Sequence, residues 1–530
     1  MAGRKVFTDS IVQLPPPDRV GHAGMIVQAA EPAHLDDNLE LMFALQPPEG
    51  AEKQLEERVA RGEVSDPAEI EALSAPDDAR EKLTSWLTSH GFTVDHVSKD
   101  GTSVYATSTA SNIADQLQVD MARVTRDGQT YTAARTDPSL PSEVGEGVRA
   151  IVGLQPFRHA NRRFRRMPAS AVAGTTTSLV PREGYTVPQI MKAYGAAGLT
   201  VTGAGQTIAI LIDTAPLPSD VDAFWAANGL TGDSSRVEIV NVGGGQLPAQ
   251  SGEETLDVEW ASGIASGATV RVYCSGSLRF VALDRALDRI IEDLPANPGM
   301  RQLSMSLGLG ETYFGGPKGE VAVQHLKFLK LAAAGVNVFV SSGDAGSNPD
   351  QTGHDTDGPT QAEYEASDPA VIGVGGTSLR LHRDGTVRSE TAWAGSGGGQ
   401  SIYFQRPSWQ QAPGMPVGTA RMVPDVSLVA DPNTGGMVIL HGQAQPVGGT
   451  SWSAPSWAAL CALANEARTQ MGQAPLGFLG PTLYSLASTP AFRDVTSGSN
   501  GAFKAGTGYD AVTGLGVPDV AKLIDALTAG

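Results

Sequence analysis

The chain has 530 residues, 41% of them hydrophobic and 18% charged, with 62 glycines and a formal net charge of −19. That length allows about two to four domains with a sizeable core, and no apolar run approaches the roughly eighteen residues a bilayer-spanning helix needs. So acidic a chain repels phosphate backbones and anionic lipid, so neither nucleic acid nor membrane is an expected partner, and its two cysteines, Cys274 and Cys461, are too few for a disulfide framework.

Residues 1–37 are polar and proline-bearing and read as a weakly ordered tail. The first twenty have basic Arg4 and Lys5 but no apolar core, so no signal peptide is readable. Residues 38–157 change character. An apolar run at 39–45 precedes predicted helices at 51–61 and 76–90, strands at 92–97 and 103–108 flank the turn Lys99-Asp100-Gly101, and a helix follows at 111–119. The order β-α-β-β-α-β predicts a split antiparallel, ferredoxin-like domain. Residues 158–180 form a linker carrying Arg158, Arg162, Arg163, Arg165 and Arg166, which reads as a solvated charge run, a phosphate patch or a site of proteolytic processing. From 181 to 530 strands alternate with helices: strands at 206–212, 237–242, 269–273, 302–306, 336–341 and 371–374, helices at 219–228, 253–265, 278–292 and 320–334. This implies an α/β domain with a parallel sheet covered on both faces and a site beyond the strands' carboxyl ends.

Three segments carry candidate chemistry. Gly448-Gly449-Thr450-Ser451 precedes a long apolar helix at 456–466; small residues admit a substrate backbone and the helix start favours negative charge beside Ser451, although a capped buried helix explains the segment equally well. Glu253 and Asp257 are i and i+4, so their carboxylates share one helix face and tend to share a proton; acids in a solvated first turn are the commoner cause of such a pair. Asp344, in Ser342-Gly343-Asp344, closes a strand as turn aspartates do, yet if protonated it could donate to an oxyanion. Asp213 closes the strand at 206–212 where a subtilisin-type triad has its acid, but no histidine-bearing helix follows it.

Glu253-x-x-x-Asp257, Ser342-Gly343-Asp344 and Gly449-Thr450-Ser451-x-x-x-Pro455, in this order, resemble the sedolisin (serine-carboxyl) peptidases, particularly the kumamolisin type, over nearly the whole chain. The resemblance implies a subtilisin-like fold with Ser451 as nucleophile, Glu253 as base, Asp257 as the acid orienting it and Asp344 as oxyanion donor. It implies that residues 38–157 are an inhibitory propeptide, cut away within the linker, ahead of a catalytic domain at 181–530. Ser306 and Gly308 are expected to bind substrate backbone. Leu307 stands where an aromatic is usual, and no specificity residue is carried over from the acidic loop 350–365. The tail motifs Phe492-Arg493-Asp494-Val495-Thr496 and Ala505-Gly506-Thr507-Gly508-Tyr509-Asp510 resemble the family's calcium loop, and two carboxylates among glycine-exposed carbonyls suit a hard cation; Asp494, Val495, Gly506, Gly508 and Asp510 would hold one structural Ca2+.

The expected protein is therefore an acid-acting endopeptidase made as a zymogen, acting as a monomer on peptides or unfolded proteins outside the cell. The rival readings are a subtilisin-type protease using Asp213 and one of His325, His354, His382 and His441, and an inert calcium-stabilised binding protein with a peptidase fold.

Overall fold

The computed structural model describes residues 3–15, 25–126, 128–166 and 183–529. In the N-terminal domain a four-stranded antiparallel sheet runs in the order Thr93–Val97, Ser103–Thr109, Asn38–Leu45, Val148–Val152. Its strand Asn38–Leu45 explains why the sequence there is apolar without alternation. Leu39, Leu41, Phe43 and Leu45 enter the domain's own core, beneath Leu83 and Leu87 of the helix Asp77–Ser89 and Ile113 and Leu117 of Ala110–Leu117. Met42 and Ala44 face the other way, with Tyr105, Ala150 and Val152, onto Val281 and Val323 of the C-terminal domain. A strand buried on both faces has no solvent side on which to place polar residues.

The expected N-terminal tail is corrected by the structure. Arg4–Val6 pairs with Ser139–Pro141, Ile26–Ala29 pairs with Met121–Arg126, and Phe7, Ile11 and Val27 are buried. These strands are three and four residues long, with Val27 the single buried residue within them and Phe7 and Ile11 buried just beyond the first, too brief for a period to show against the prolines and polar residues around them.

The C-terminal domain is built on a sheet that runs, edge to edge, Val237–Asn241, Thr269–Cys274, Thr207–Ile212, Met300–Met305, Asn337–Ser341, Ile372–Leu381, Val387–Ala392. Its strands are parallel as far as Ile372–Leu381, which also pairs in parallel with Val426–Val429; only Val387–Ala392 is antiparallel. Two helices of one layer matter most. Glu253–Ile264 is buried along its whole length, and Thr450–Gln470 lies beside it, with Trp260 and Trp452 meeting edge to face at 4.8 Å. Gly436 permits that approach, because a side chain there would strike both rings. The helix begins at Thr450, six residues before the predicted start. Ser451 therefore lies in its first turn and Pro455 inside it.

The two domains dock through the N-terminal sheet and the helices Phe280–Asp293 and Glu320–Ala333. Besides the apolar contact, the Tyr105 hydroxyl donates to Asp288 Oδ2 at 2.7 Å and Lys327 donates to Ser103 Oγ at 2.8 Å. Lys327 is also paired with Asp288, and Lys330 with Asp100.

Candidate active site

The site lies where three successive strands end. Asp213 follows Thr207–Ile212, Ser306 follows Met300–Met305 and Asp344 follows Asn337–Ser341, and the buried helix Glu253–Ile264 and the start of Thr450–Gln470 face them. Glu253 and Asp257 are both fully buried. Burial, and then the neighbouring Asp257, push the Glu253 carboxyl well above its usual range, with Ser451 acting against them; burial raises Asp257 as well, opposed by its hydrogen bond from Ser306. Ser306 Oγ donates to Asp257 Oδ1 at 2.7 Å. Glu253 Oε1 and Asp257 Oδ2 are each buried without a hydrogen-bond partner, and each carboxyl is buried close enough to the other for Asp257 to raise Glu253.

Ser451 is 0% exposed, and its Oγ has no partner in hydrogen-bonding alignment. Its backbone is set by Pro455. Lacking an N–H, this proline leaves the Ser451 carbonyl without its helical donor, and Ser306 Oγ approaches that carbonyl at 3.4 Å. Asp344 Oδ1 accepts from the Thr450 amide at 2.7 Å and the Thr450 hydroxyl at 2.9 Å, while Oδ2 is left buried and free of hydrogen bonds. Burial raises the Asp344 pKa, against the pull of Arg165. A carboxyl with one oxygen anchored and the other carrying the proton is an aimed donor.

The linker occupies this cleft. Asn161 and Arg162 pair antiparallel with Gly308 and Leu307, and Arg165 and Arg166 with Gly448 and Val447. Between the two ladders the Arg163 amide donates to Glu253 Oε2 at 2.8 Å, and the Arg163 carbonyl lies over Gly449 next to Asp344 Oδ2, where a methyl group on Gly449 would collide with it. Gly252, at φ +107°, starts the Glu253 helix with the Phe164 ring against it.

The Arg163 amide thus meets Glu253 and its carbonyl lies near Asp344; Asp257 and Ser451 act on Glu253, and Gly308 pairs with Asn161 of the same linker. The Ser306 side chain instead faces Asp257. Asp213 is paired with Arg162. His325 is bound by Asp368 and Glu56, the His382 amide bonds within a hairpin turn, and the His441 amide donates to Asp220; none of these, nor His354, is hydrogen-bonded to Ser451 or Glu253. The anchoring of Asp344 by Thr450, the Arg163–Glu253 contact and the Ser306–Asp257 bond are not legible in the sequence. Arg163 was visible only as one of five linker arginines. Residues 167–180 of the linker lie outside the described residues.

In the C-terminal loop, Asp494 Oδ2 accepts from the Gly508 amide at 2.8 Å and Asp510 Oδ2 from the Gly506 amide at 3.0 Å, with Asp510 Oδ1 held by the amides of Val512 and Thr513. Burial raises the Asp510 carboxyl. Two carboxylates gathered on one glycine-rich turn make an oxygen donor set that fits a hard cation.

Comparison with known proteins gives the family and the fold. Residues 27–157 match the family described as Pro-kumamolisin, activation domain, and residues 243–477 match the subtilase family. Kumamolisin of Bacillus sp. (strain MN-32) is 30% identical over 85% of this chain and 83% of its own length, and sedolisin of Pseudomonas sp. (strain 101) is 29% identical over 85% and 79%. Among solved structures, Pseudomonas sedolisin, a serine-carboxyl proteinase complexed with two molecules of pseudo-iodotyrostatin, superposes with a TM-score of 0.57 at 30% identity, covering 66% of this chain and 98% of that one. The catalytic domain has the subtilisin-like α/β fold, behind an activation domain.

Proposed function

As a member of the kumamolisin–sedolisin family the chain is a serine-carboxyl peptidase with its own activation domain, and we propose that it is an acid-acting endopeptidase using Ser451, Glu253, Asp257 and Asp344. The observation that carries this reading is the Arg163 peptide, which has Glu253 on its amide and Asp344 beside its carbonyl. Ser451 Oγ attacks the substrate carbonyl and its proton passes to Glu253, which later returns it to the leaving nitrogen. Asp257, held by Ser306, fixes Glu253 and shares its proton. Asp344 Oδ2–H donates to the oxyanion as it forms. Acid suits all three carboxyl groups: a histidine base would already be charged at such pH, with its reference pKa of about 6.5, and Asp344 can donate only while protonated.

The activation domain blocks the cleft by docking on the helices Phe280–Asp293 and Glu320–Ala333 and threading the linker past Ser451. Asp494 and Asp510, with the carbonyls of Val495, Gly506 and Gly508, would hold one Ca2+, which crosslinks the C-terminal loop and takes no part in proton transfer. Work in acid places the enzyme outside the cell or in an acidic compartment, acting as a monomer on peptides and unfolded proteins.

The deciding experiment incubates the full-length chain with calcium at about pH 4 and pH 7 beside Ser451→Ala and Glu253→Ala, following its mass and the cleavage of an unfolded protein. Cleavage in acid alone, lost in both variants, is expected. Equal activity at neutral pH, or activity that survives Ser451→Ala, would overturn the mechanism.

A further inference from the structure

The turn at residues 342–347, which ends the strand Asn337–Ser341 and holds Asp344, is gripped by two segments far away in the chain. Residues 395–398, Gly-Ser-Gly-Gly, join the strand Val387–Ala392 to the strand Gly399–Gln405 and form a collar around the turn. Ahead of Asp344 the Gly397 amide donates to the Gly343 carbonyl at 2.8 Å and Ser342 Oγ donates to the Gly397 carbonyl at 2.8 Å; beyond it the Gly346 amide donates to the Gly395 carbonyl at 3.0 Å. The approach is too close for a side chain, since a methyl group on Gly397 would strike the Ser342 carbonyl.

Asn500 ties this collar to the turn. It is 4% exposed. Its Nδ2 donates to the Ser396 carbonyl, in the middle of the collar, at 2.9 Å and to the Ala511 carbonyl at 3.3 Å. Its own carbonyl accepts from the Ser347 amide at 2.9 Å, and Gly346 packs so tightly on that carbonyl that a side chain there would collide. Its Oδ1 accepts from the Phe503 amide at 3.3 Å, which closes the tight turn presenting it. Ser396 Oγ adds a second fastening, donating to the Val512 carbonyl at 2.8 Å and accepting from the Gly376 amide at 2.9 Å. A single buried carboxamide therefore holds the collar with its side chain and the Asp344 turn with its main chain.

We propose that Asn500 is a positioning residue for the oxyanion donor, acting on Asp344 through the backbone on either side of it. The proposal rests on Asp344 donating to the oxyanion as described above. Thr450 anchors Oδ1 of Asp344, but the direction of Oδ2 also depends on where the backbone of the turn stands. A donor set a fraction of an ångström from its place stabilises the developing charge poorly. Asn500→Ala removes the one donor that the Ser396 and Ala511 carbonyls share and frees the collar to shift, carrying Gly343 and Gly346 with it.

The wild type, Asn500→Ala, Asp344→Ala and the double variant are each activated in acid by immobilised wild-type enzyme, which is then filtered off, and kcat and KM are measured on one peptide. Asn500→Ala is expected to lower kcat by roughly thirtyfold, within the range that misplacement of a reacting group costs, with KM changed by less than about twofold. In the Asp344→Ala background the same substitution should cost less than about twofold, because the group it places is already gone. A merely structural role would lower kcat by the same factor in both backgrounds. That result, an Asn500→Ala enzyme with the wild-type kcat, or a rise in KM in place of the fall in kcat overturns the proposal. If Asn500→Ala does not fold, Ser396→Ala, which releases the collar from Val512 and Gly376, goes through the same cycle and decides in the same way. An Asp344→Ala enzyme as active as the wild type overturns the oxyanion assignment beneath the proposal.

Discussion

Glu253 Oε2 accepts the Arg163 amide hydrogen at 2.8 Å, so the linker engages the carboxyl group proposed to receive the proton of Ser451. On the proposed mechanism the linker would inhibit chemically as well as sterically: Glu253, the proposed base, is engaged, Ser451 Oγ lacks an aligned hydrogen-bond partner, and Asp344 Oδ2 lies near the Arg163 carbonyl.

Removing the nucleophile or the base should leave the chain uncut. Ser451→Ala and Glu253→Gln are each expected to lower kcat by at least about 10⁴-fold with little change in KM, and the full-length chain should keep its mass in acid. Mass spectrometry over several hours checks this.

Asp344 makes a separate prediction about pH. Its carboxyl must be protonated to donate, and burial raises its pKa, so activity should fall as rising pH ionises it. Asp344→Asn keeps a donor at every pH and should retain part of the activity while the alkaline limb of kcat/KM moves upward. Asp344→Ala has no donor and should lose about 10²–10³-fold in kcat. An alkaline limb that stays in place in Asp344→Asn would remove Asp344 from the role.

Stability should follow the buried acids. A carboxyl whose folded pKa lies above its unfolded value binds more protons folded than unfolded in the interval between, so stability falls as pH rises through it. Burial pushes Asp284 and Glu365 up to about 7 and raises Glu253, Asp257 and Glu320 well above the ordinary range. His325, lowered by burial but raised to about 10 by Asp368 and Glu56 together, acts in the same direction as pH rises above its unfolded value. Asp100 opposes them: Lys330 overcomes its burial and holds it far below the usual range, so its contribution is present above its unfolded value and lost only in strong acid. Calorimetry of the Ser451→Ala chain should give a Tm that is highest near pH 4, about where unfolded carboxyls titrate, and that declines toward pH 7; a rising Tm over that range would contradict the burial of these acids.

The docked sheet makes the activation rate tunable. Tyr105→Phe removes the hydrogen bond to Asp288 across the interface without changing shape. A bond to a charged partner is worth about 1.5–3 kcal/mol, so the variant should activate roughly tenfold faster in acid, followed by the appearance of peptidase activity, while the activated enzyme itself keeps the wild-type kcat.

Calcium, if held by Asp494 and Asp510, should stabilise without accelerating. Chelation or Asp510→Asn is expected to lower Tm by several degrees in a calcium-dependent way, with kcat unchanged at temperatures where the enzyme remains folded. Terbium luminescence on adding the ion reports binding directly.

The sequence alone determined the order of the motifs, the i, i+4 placement of Glu253 and Asp257 on one helical face, the small residues before Ser451 and the alternation of strands and helices that makes a parallel sheet. Those are properties of neighbours along the chain, and local periodicity and backbone freedom express them. The strands within the expected tail are not legible because three or four residues carry no readable period. What only the tertiary structure decided is which groups far apart in sequence meet: Ser306 with Asp257, Arg163 with Glu253 and Glu363, and Tyr105 with Asp288. Burial belongs to the same class. The first turn of Glu253–Ile264 has the composition of a solvated helix start, yet every residue of that helix is buried, and it is the exclusion of water by packed layers, not the identity of the acids, that raises their pKa values and suits them to work in acid.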